Sequence, residues 1–136
     1  MVSSPTEYLD SLIPAFSQAF KDAIVVERDD RPERCLLEMS GRYGQYRIRL
    51  LEIVSPHTSR KYVYYVLDGE HVVAGFDNTP DVQALKLKYG AKYTDYRSER
   101  IPHLHTENKT QVSLTDEMTL VSFIAWLYAN IAIPSE

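Results

Sequence analysis

Cysteine is almost absent from this chain. Cys35 stands alone among 136 residues, so no intrachain disulfide can form and a reducing compartment is the simplest expectation. No apolar run approaches the roughly 18 residues that a membrane span needs, and no membrane association is expected. The opening Met-Val-Ser-Ser-Pro has neither the basic nor the apolar region of a signal peptide. Cytoplasm is therefore the expected location. An excess of basic charge is missing too. With 15 Lys and Arg against 19 Asp and Glu, the net charge of −4 argues against a generic nucleic-acid coat. A P-loop, a G-x-G-x-x-G fingerprint and an H-E-x-x-H pair are all absent, which removes three common signatures of nucleotide and zinc-protease chemistry.

What is present describes an ordinary globular chain. Its length suits one domain over residues 1–136, with a core that needs no staples. Charge is unevenly spread. Residues 1–33 are acidic, whereas residues 41–61 carry Arg42, Arg47, Arg49, Arg60 and Lys61 against Glu52 alone. Such a patch can attract phosphates, and a strand pair with a solvated basic face is the plainer alternative.

Ser4-Pro5-Thr6-Glu7 predicts a helix start with a capping box. Tyr8, Leu9, Leu12, Phe16 and Phe20 follow at helical spacing, and Pro14 predicts a break or kink among them. Ala23 to Glu27 reads as a short strand, and residues 28–33 as a polar connector. Strands are expected over residues 35–40, 46–54, 62–67 and 71–76, with Asp68-Gly69 as a hairpin turn. In Tyr46-Arg47-Ile48-Arg49-Leu50, alternation turns one face to the core and presents arginine on the other. A helix over 80–89 is expected, capped by Thr79 and ended by Gly90. Residues 91–100 read as a surface loop. A short strand follows from Pro102, then a turn over 107–110. A last helix is expected to be capped by Thr115, to carry Leu120, Phe123, Ile124, Leu127 and Ile131 on one stripe, and to end at Pro134. The fold class is α+β, an antiparallel sheet of three or four meandering strands packed against an N-terminal helical segment and a C-terminal helix.

Two polar signatures carry the candidate chemistry: Gly75-Phe76-Asp77-Asn78-Thr79-Pro80 and Ile101-Pro102-His103-Leu104-His105. On a strand, His103 and His105 project side by side while Leu104 turns to the core. Such a pair can hold a divalent metal with Asp77 as third ligand. It can provide a general acid and a general base near neutral pH. It can bind phosphate when protonated, or be two histidines at a strand edge with no role. Asp77 can orient an imidazole, or Asp77, Asn78 and Thr79 can simply cap the following helix. Arg47 and Arg49 could stabilise phosphate charge; Tyr93, Tyr96, Arg97 and Arg100 could stack on bases and contact phosphates. Cys35 reads as a buried apolar side chain.

With these elements in hand, the chain resembles the TumE-type toxins of prokaryotic toxin–antitoxin pairs. The resemblance lies in Phe76-Asp77-Asn78-Thr79-Pro80, in Pro102-His103-Leu104-His105, and in the preceding Tyr62-Val63-Tyr64-Tyr65 strand with its Asp68-Gly69 hairpin. It covers residues 43–131. Many members carry a basic residue where this chain has Gly75, and a His where it has Asp81. The resemblance implies a growth-inhibiting toxin that acts on RNA and is neutralised by a cognate antitoxin. In that reading His103 and His105 act as acid and base without an obligatory metal, and Asp77 orients one of them. Arg47, Arg49, Asn78, Tyr93 and Arg97 contact the substrate. A metal-dependent hydrolase using Asp77, His103 and His105 as ligands, and a non-catalytic interaction module, are the alternatives. A homodimer is left open.

Overall fold

A computed structural model describes residues 4–56 and 60–133. Its strands are β1 (Lys21–Asp30), β2 (Cys35–Tyr43), β3 (Tyr46–Val54), β4 (Lys61–Asp68), β5 (His71–Asp77), β6 (His103–Thr106) and β7 (Gln111–Leu114). Each pairs antiparallel with the next, so they form one seven-stranded meander in chain order. The helices are α1 (Pro5–Ala19), α2 (Val82–Tyr89) and α3 (Leu120–Asn130), and a 3-10 helix (Gly90–Tyr96) follows α2. The architecture is the expected α+β, with more strands than three or four. Among the described residues, no helix is long and apolar enough to cross a membrane.

Alternation sorts the sheet into two faces. On one face Leu37, Met39, Ile48, Leu50, Tyr64, Val66 and Phe76 meet Leu9, Leu12 and Phe16 of α1 and Leu120, Phe123 and Leu127 of α3. Burying each such side chain contributes roughly 1.5–3 kcal/mol, so this layer is the main source of stability. Gly41 lies against it, where an added Cβ would come within 2.9 Å of the Phe16 ring. On the other face the cover is partial. Ala84 and Leu85 of α2 pack with Ile101, Tyr93 and Val112 over the β6–β7 end.

Several local expectations need correction. Ser4 does cap α1, accepting from Glu7 N at 3.1 Å, but the helix runs unbroken through Pro14. Pro14 and Asp10 are exposed, so the carbonyl that loses its helical donor can be hydrated. The short strand expected at 23–27 is the ten-residue β1, which takes in half of the supposed connector. Residues 90–96 form a 3-10 helix rather than a loop. Asp81, not Thr79, caps α2 and accepts from Ala84 N at 2.9 Å, because the Thr79 hydroxyl is bonded to Asp77. Thr119, not Thr115, caps α3 in a reciprocal capping box with Ser122. Residues ahead of it stay extended because Thr115 N bonds the Pro102 carbonyl and Met118 N bonds the Tyr62 hydroxyl. Pro134 lies outside the described residues.

Candidate metal centre

The pairing of β5 with β6 sets Asp77 opposite His103 and Gly75 opposite His105. All four lie on the face turned away from α1 and α3, while Phe76 and Leu104 between them pack on the main core. The acid and both imidazoles are thus gathered at the end of the central hairpin, beside the start of α2.

Asp77 and His103 are each held from outside the trio. The Asp77 Oδ1 accepts from Thr79 N at 2.7 Å and from Thr79 Oγ1 at 2.5 Å. Thr79 therefore anchors the carboxylate in a local turn. Nδ1 of His103 lies 2.6 Å from the Ile101 carbonyl oxygen. A carbonyl only accepts, so the His103 proton belongs on Nδ1 and the Nε2 lone pair faces the site. Nε2 of His103 stands 3.1 Å from Nε2 of His105 and 3.8 Å from Asp77 Oδ1. Nε2 of His105 is also 3.9 Å from Asp81 Oδ2. His103 is fully buried, and Asp77 and His105 are each 7% exposed.

The two Nε2 atoms in mutual contact converge with the Asp77 carboxylate on one point, where a cation could take all three. Asp77, His103 and His105 can bring one ligand atom each to within 4.8 Å of one another, a group that could hold a metal ion. Two nitrogens bound tetrahedrally at 2.0–2.1 Å to one ion stand about 3.3 Å apart, close to the separation seen here. The bond from His103 to a backbone carbonyl is the usual support of a metal-binding imidazole. A donor set of two nitrogens and a carboxylate fits zinc and its first-row neighbours better than magnesium or calcium. Nδ1 of His105 is buried without a hydrogen-bond partner, so this ring lacks the outer support that the Ile101 carbonyl gives His103.

Burial, then the adjacent His103, lowers the His105 pKa from its ordinary 6.5; Asp81 and Asp77 oppose this, and Lys109 adds to it. The imidazole therefore stays neutral, and able to ligate, at pH values where a free histidine has taken up a proton. The consequence for stability follows by linkage. The unfolded chain binds the proton more readily than the folded one, so stability present above 6.5 is lost as pH falls through that value toward the lowered one. In metal-free buffer, the wild-type urea midpoint is expected to fall between pH 7.5 and 5.5 by more than that of His105→Gln. Equal falls would contradict the lowered pKa.

The other candidates are dispersed. Asn78 is structural: its amide donates to the Arg60 carbonyl at 2.8 Å and its Oδ1 accepts from Tyr62 N at 3.0 Å. Arg49 shares the site's face, but cross-strand pairing runs Arg49, Tyr65, Gly75, His105, so three strand spacings separate it from His105. At about 4.8 Å per strand that is some 14 Å. Arg49 is also paired with Glu38 at 3.0 Å. Arg47 is exposed two pairs further toward the Asp68-Gly69 turn. Neither touches the centre. Tyr93 and Arg97 do come near it. With Pro80, Asp81, Val82 and Leu85 they line a cavity of about 250 Å³, and Asp81 belongs to both the cavity and the surroundings of His105.

Sequence reasoning missed Asp81 as a neighbour of the centre, because a carboxylate at a helix start is already explained by the positive helix end. It also missed why Gly75 is glycine: a Cβ there would lie 2.6 Å from the Tyr65 ring, which rests over the position beside His105.

Behind Asn78, on the helical face, lies a second polar cluster. Glu52 is fully buried and accepts from Tyr8 Oη at 2.7 Å, Arg60 Nη1 at 2.8 Å and Tyr64 Oη at 2.5 Å. Arg60 also donates to the Met118 carbonyl, and its guanidinium lies 4.5 Å from the Tyr62 ring centre. Burial and then Glu52 push the Tyr64 hydroxyl well above its ordinary pKa, so it stays protonated and donates. Burial works against the Arg60 charge, but Glu52 and the tyrosines outweigh it. Parity along β3 carried the signal for this cluster, since Glu52 occupies the phase of Ile48 and Leu50. Compared with protein-family models, with curated proteins and with solved structures, the chain matches none.

Proposed function

We propose that this chain is a metal-dependent ribonuclease of the toxin type, restrained in the cell by a separately encoded antitoxin. The convergence of Asp77, His103 and His105 supports the metal-dependent reading. The resemblance to TumE-type toxins supports the toxin and its RNA substrate. When bound, a divalent ion supplies Lewis-acid polarisation of a phosphoryl oxygen and acidifies water near it.

The chain's own residues do the rest. Ile101 holds the His103 ring and Thr79 holds Asp77, so these two ligands are pre-organised. Asp81 Oδ2 lies beside His105 at the open side and is the group placed to take up a proton. The cavity next to it is smaller than the 300–1,000 Å³ or so of drug-sized sites, which suits a single base. Tyr93 offers that base a stacking surface, and Arg97 offers the adjoining phosphate a guanidinium.

Purified protein is expected to cleave single-stranded RNA, to stop when a chelator is added and to resume with zinc or manganese. Expression of the wild type is expected to arrest growth, and Asp77→Ala to relieve the arrest. RNA left intact under every metal condition, with arrest unchanged by Asp77→Ala, would contradict the proposal.

A further inference from the structure

We propose that the exposed face of α2 and the 3-10 helix holds the RNA beyond the cavity as a single strand, with Tyr96 as a second base platform and Lys86 and Lys92 against its phosphates. This rests on RNA being the substrate, and adds where and in what form the rest of the strand is bound. Residues 86–100 carry five basic residues against Asp95 and Glu99, in a chain whose net charge is −4. A basic stretch in an acidic chain draws a polyanion to one place. Lys88 is held by Glu99 at 3.5 Å. Lys86, Lys92 and Arg97 are exposed and form no ion pair among the described residues. Three cations are therefore available to phosphates.

The tyrosines decide which polyanion fits. Tyr89 and Tyr96 stack with ring centres 3.7 Å apart and planes 8° from parallel. That contact takes one face of Tyr96, yet the residue is 39% exposed, so its other face is turned outward. Glu99 accepts from the Tyr89 hydroxyl and steadies the pair. The Lys86 ammonium lies 5.1 Å from the Tyr93 ring centre, a weak hold at an exposed site that a base can replace. Side chains three apart on a 3-10 helix eclipse at a rise of about 2 Å per residue, so Tyr93 and Tyr96 stand on one side of it, about 6 Å apart. Neighbouring bases of a duplex lie about 3.4 Å apart. Two bases on these rings must be drawn off one another, which a single strand allows and a duplex does not. An acidic peptide would use the cations but not a pair of ring faces. The face is continuous with the metal centre, because Tyr93 and Arg97 line the cavity and Asp81 joins the cavity to His105.

Fluorescence anisotropy of a labelled oligouridylate with the full chain, in chelator so that no cleavage intervenes, tests this. With three phosphates met by Lys86, Lys92 and Arg97, the logarithm of the dissociation constant is expected to rise with that of the salt concentration at a slope of about 2, and Lys92→Gln to lower the slope by about 0.7. Tyr96→Leu is expected to raise the dissociation constant about fivefold or more, and Tyr96→Trp, which keeps a ring face, to leave it within about twofold. The same strand annealed to oligoadenylate is expected to bind about tenfold more weakly or worse. RNA that stays intact when metal is restored, with binding still sensitive to Tyr96→Leu, would sink the ribonuclease reading and support this face. Equal affinity for the duplex, an affinity indifferent to Tyr96→Leu and Lys92→Gln, or displacement of the RNA by polyglutamate as readily as by unlabelled RNA would each overturn the proposal.

Discussion

Glu52→Ala is expected to cost about 3–5 kcal/mol of folding stability, the usual penalty for stripping one partner from a buried ion pair. The carboxylate has no contact with water and satisfies three donors at once. Its removal leaves the Arg60 charge, with only 15% of that side chain exposed, and two tyrosine hydroxyls without their acceptor. Measured against a typical total of about 5–15 kcal/mol, such a loss leaves the fold marginal. It should appear as a lowered urea midpoint with an unchanged slope. The damage should also reach the candidate metal centre, because Asn78, next to Asp77, is tied to the backbone of Arg60 and Tyr62. A loss below about 1 kcal/mol would mean that Glu52 does not hold this cluster together.

His103→Ala is expected to weaken zinc binding by more than about 100-fold, beyond the 10- to 100-fold usual for loss of a supporting group. Thr79→Val removes only the hydroxyl bond to Asp77, leaves the backbone bond from residue 79 in place, and should fall within that smaller range. This graded order separates a three-ligand centre from adventitious binding at surface histidines. Isothermal titration on chelator-treated protein reads both variants. Equal affinity in wild type and His103→Ala would remove this residue from the ligand set.

Legibility in the sequence followed physical contrast. β3 reads correctly because Ile48 and Leu50 alternate with arginine, and the β4–β5 hairpin because Asp68-Gly69 punctuates it. The convergence of Asp77 with the imidazoles was legible as chemistry, but its geometry depended on a register that short strands do not announce. β7 escaped notice because Gln-Val-Ser-Leu alternates polar and apolar residues over only four positions, too few to stand out from the turn before it. β1 was underread because its apolar centre is exposed and its ends are charged. Glu52 was counted as one acid in a basic patch, although strand parity places it in the core. Asp81 was hidden by a sufficient local explanation, since a negative charge at the positive end of α2 accounts for it without reference to His105.

The most direct test of the central claim is anomalous diffraction at the zinc absorption edge from crystals of the wild-type chain grown with zinc. The account predicts one strong peak per chain, about 2.0–2.2 Å from an imidazole nitrogen of His103, an imidazole nitrogen of His105 and an Asp77 oxygen. Zinc bound only elsewhere, with these three side chains ligating nothing, would contradict it.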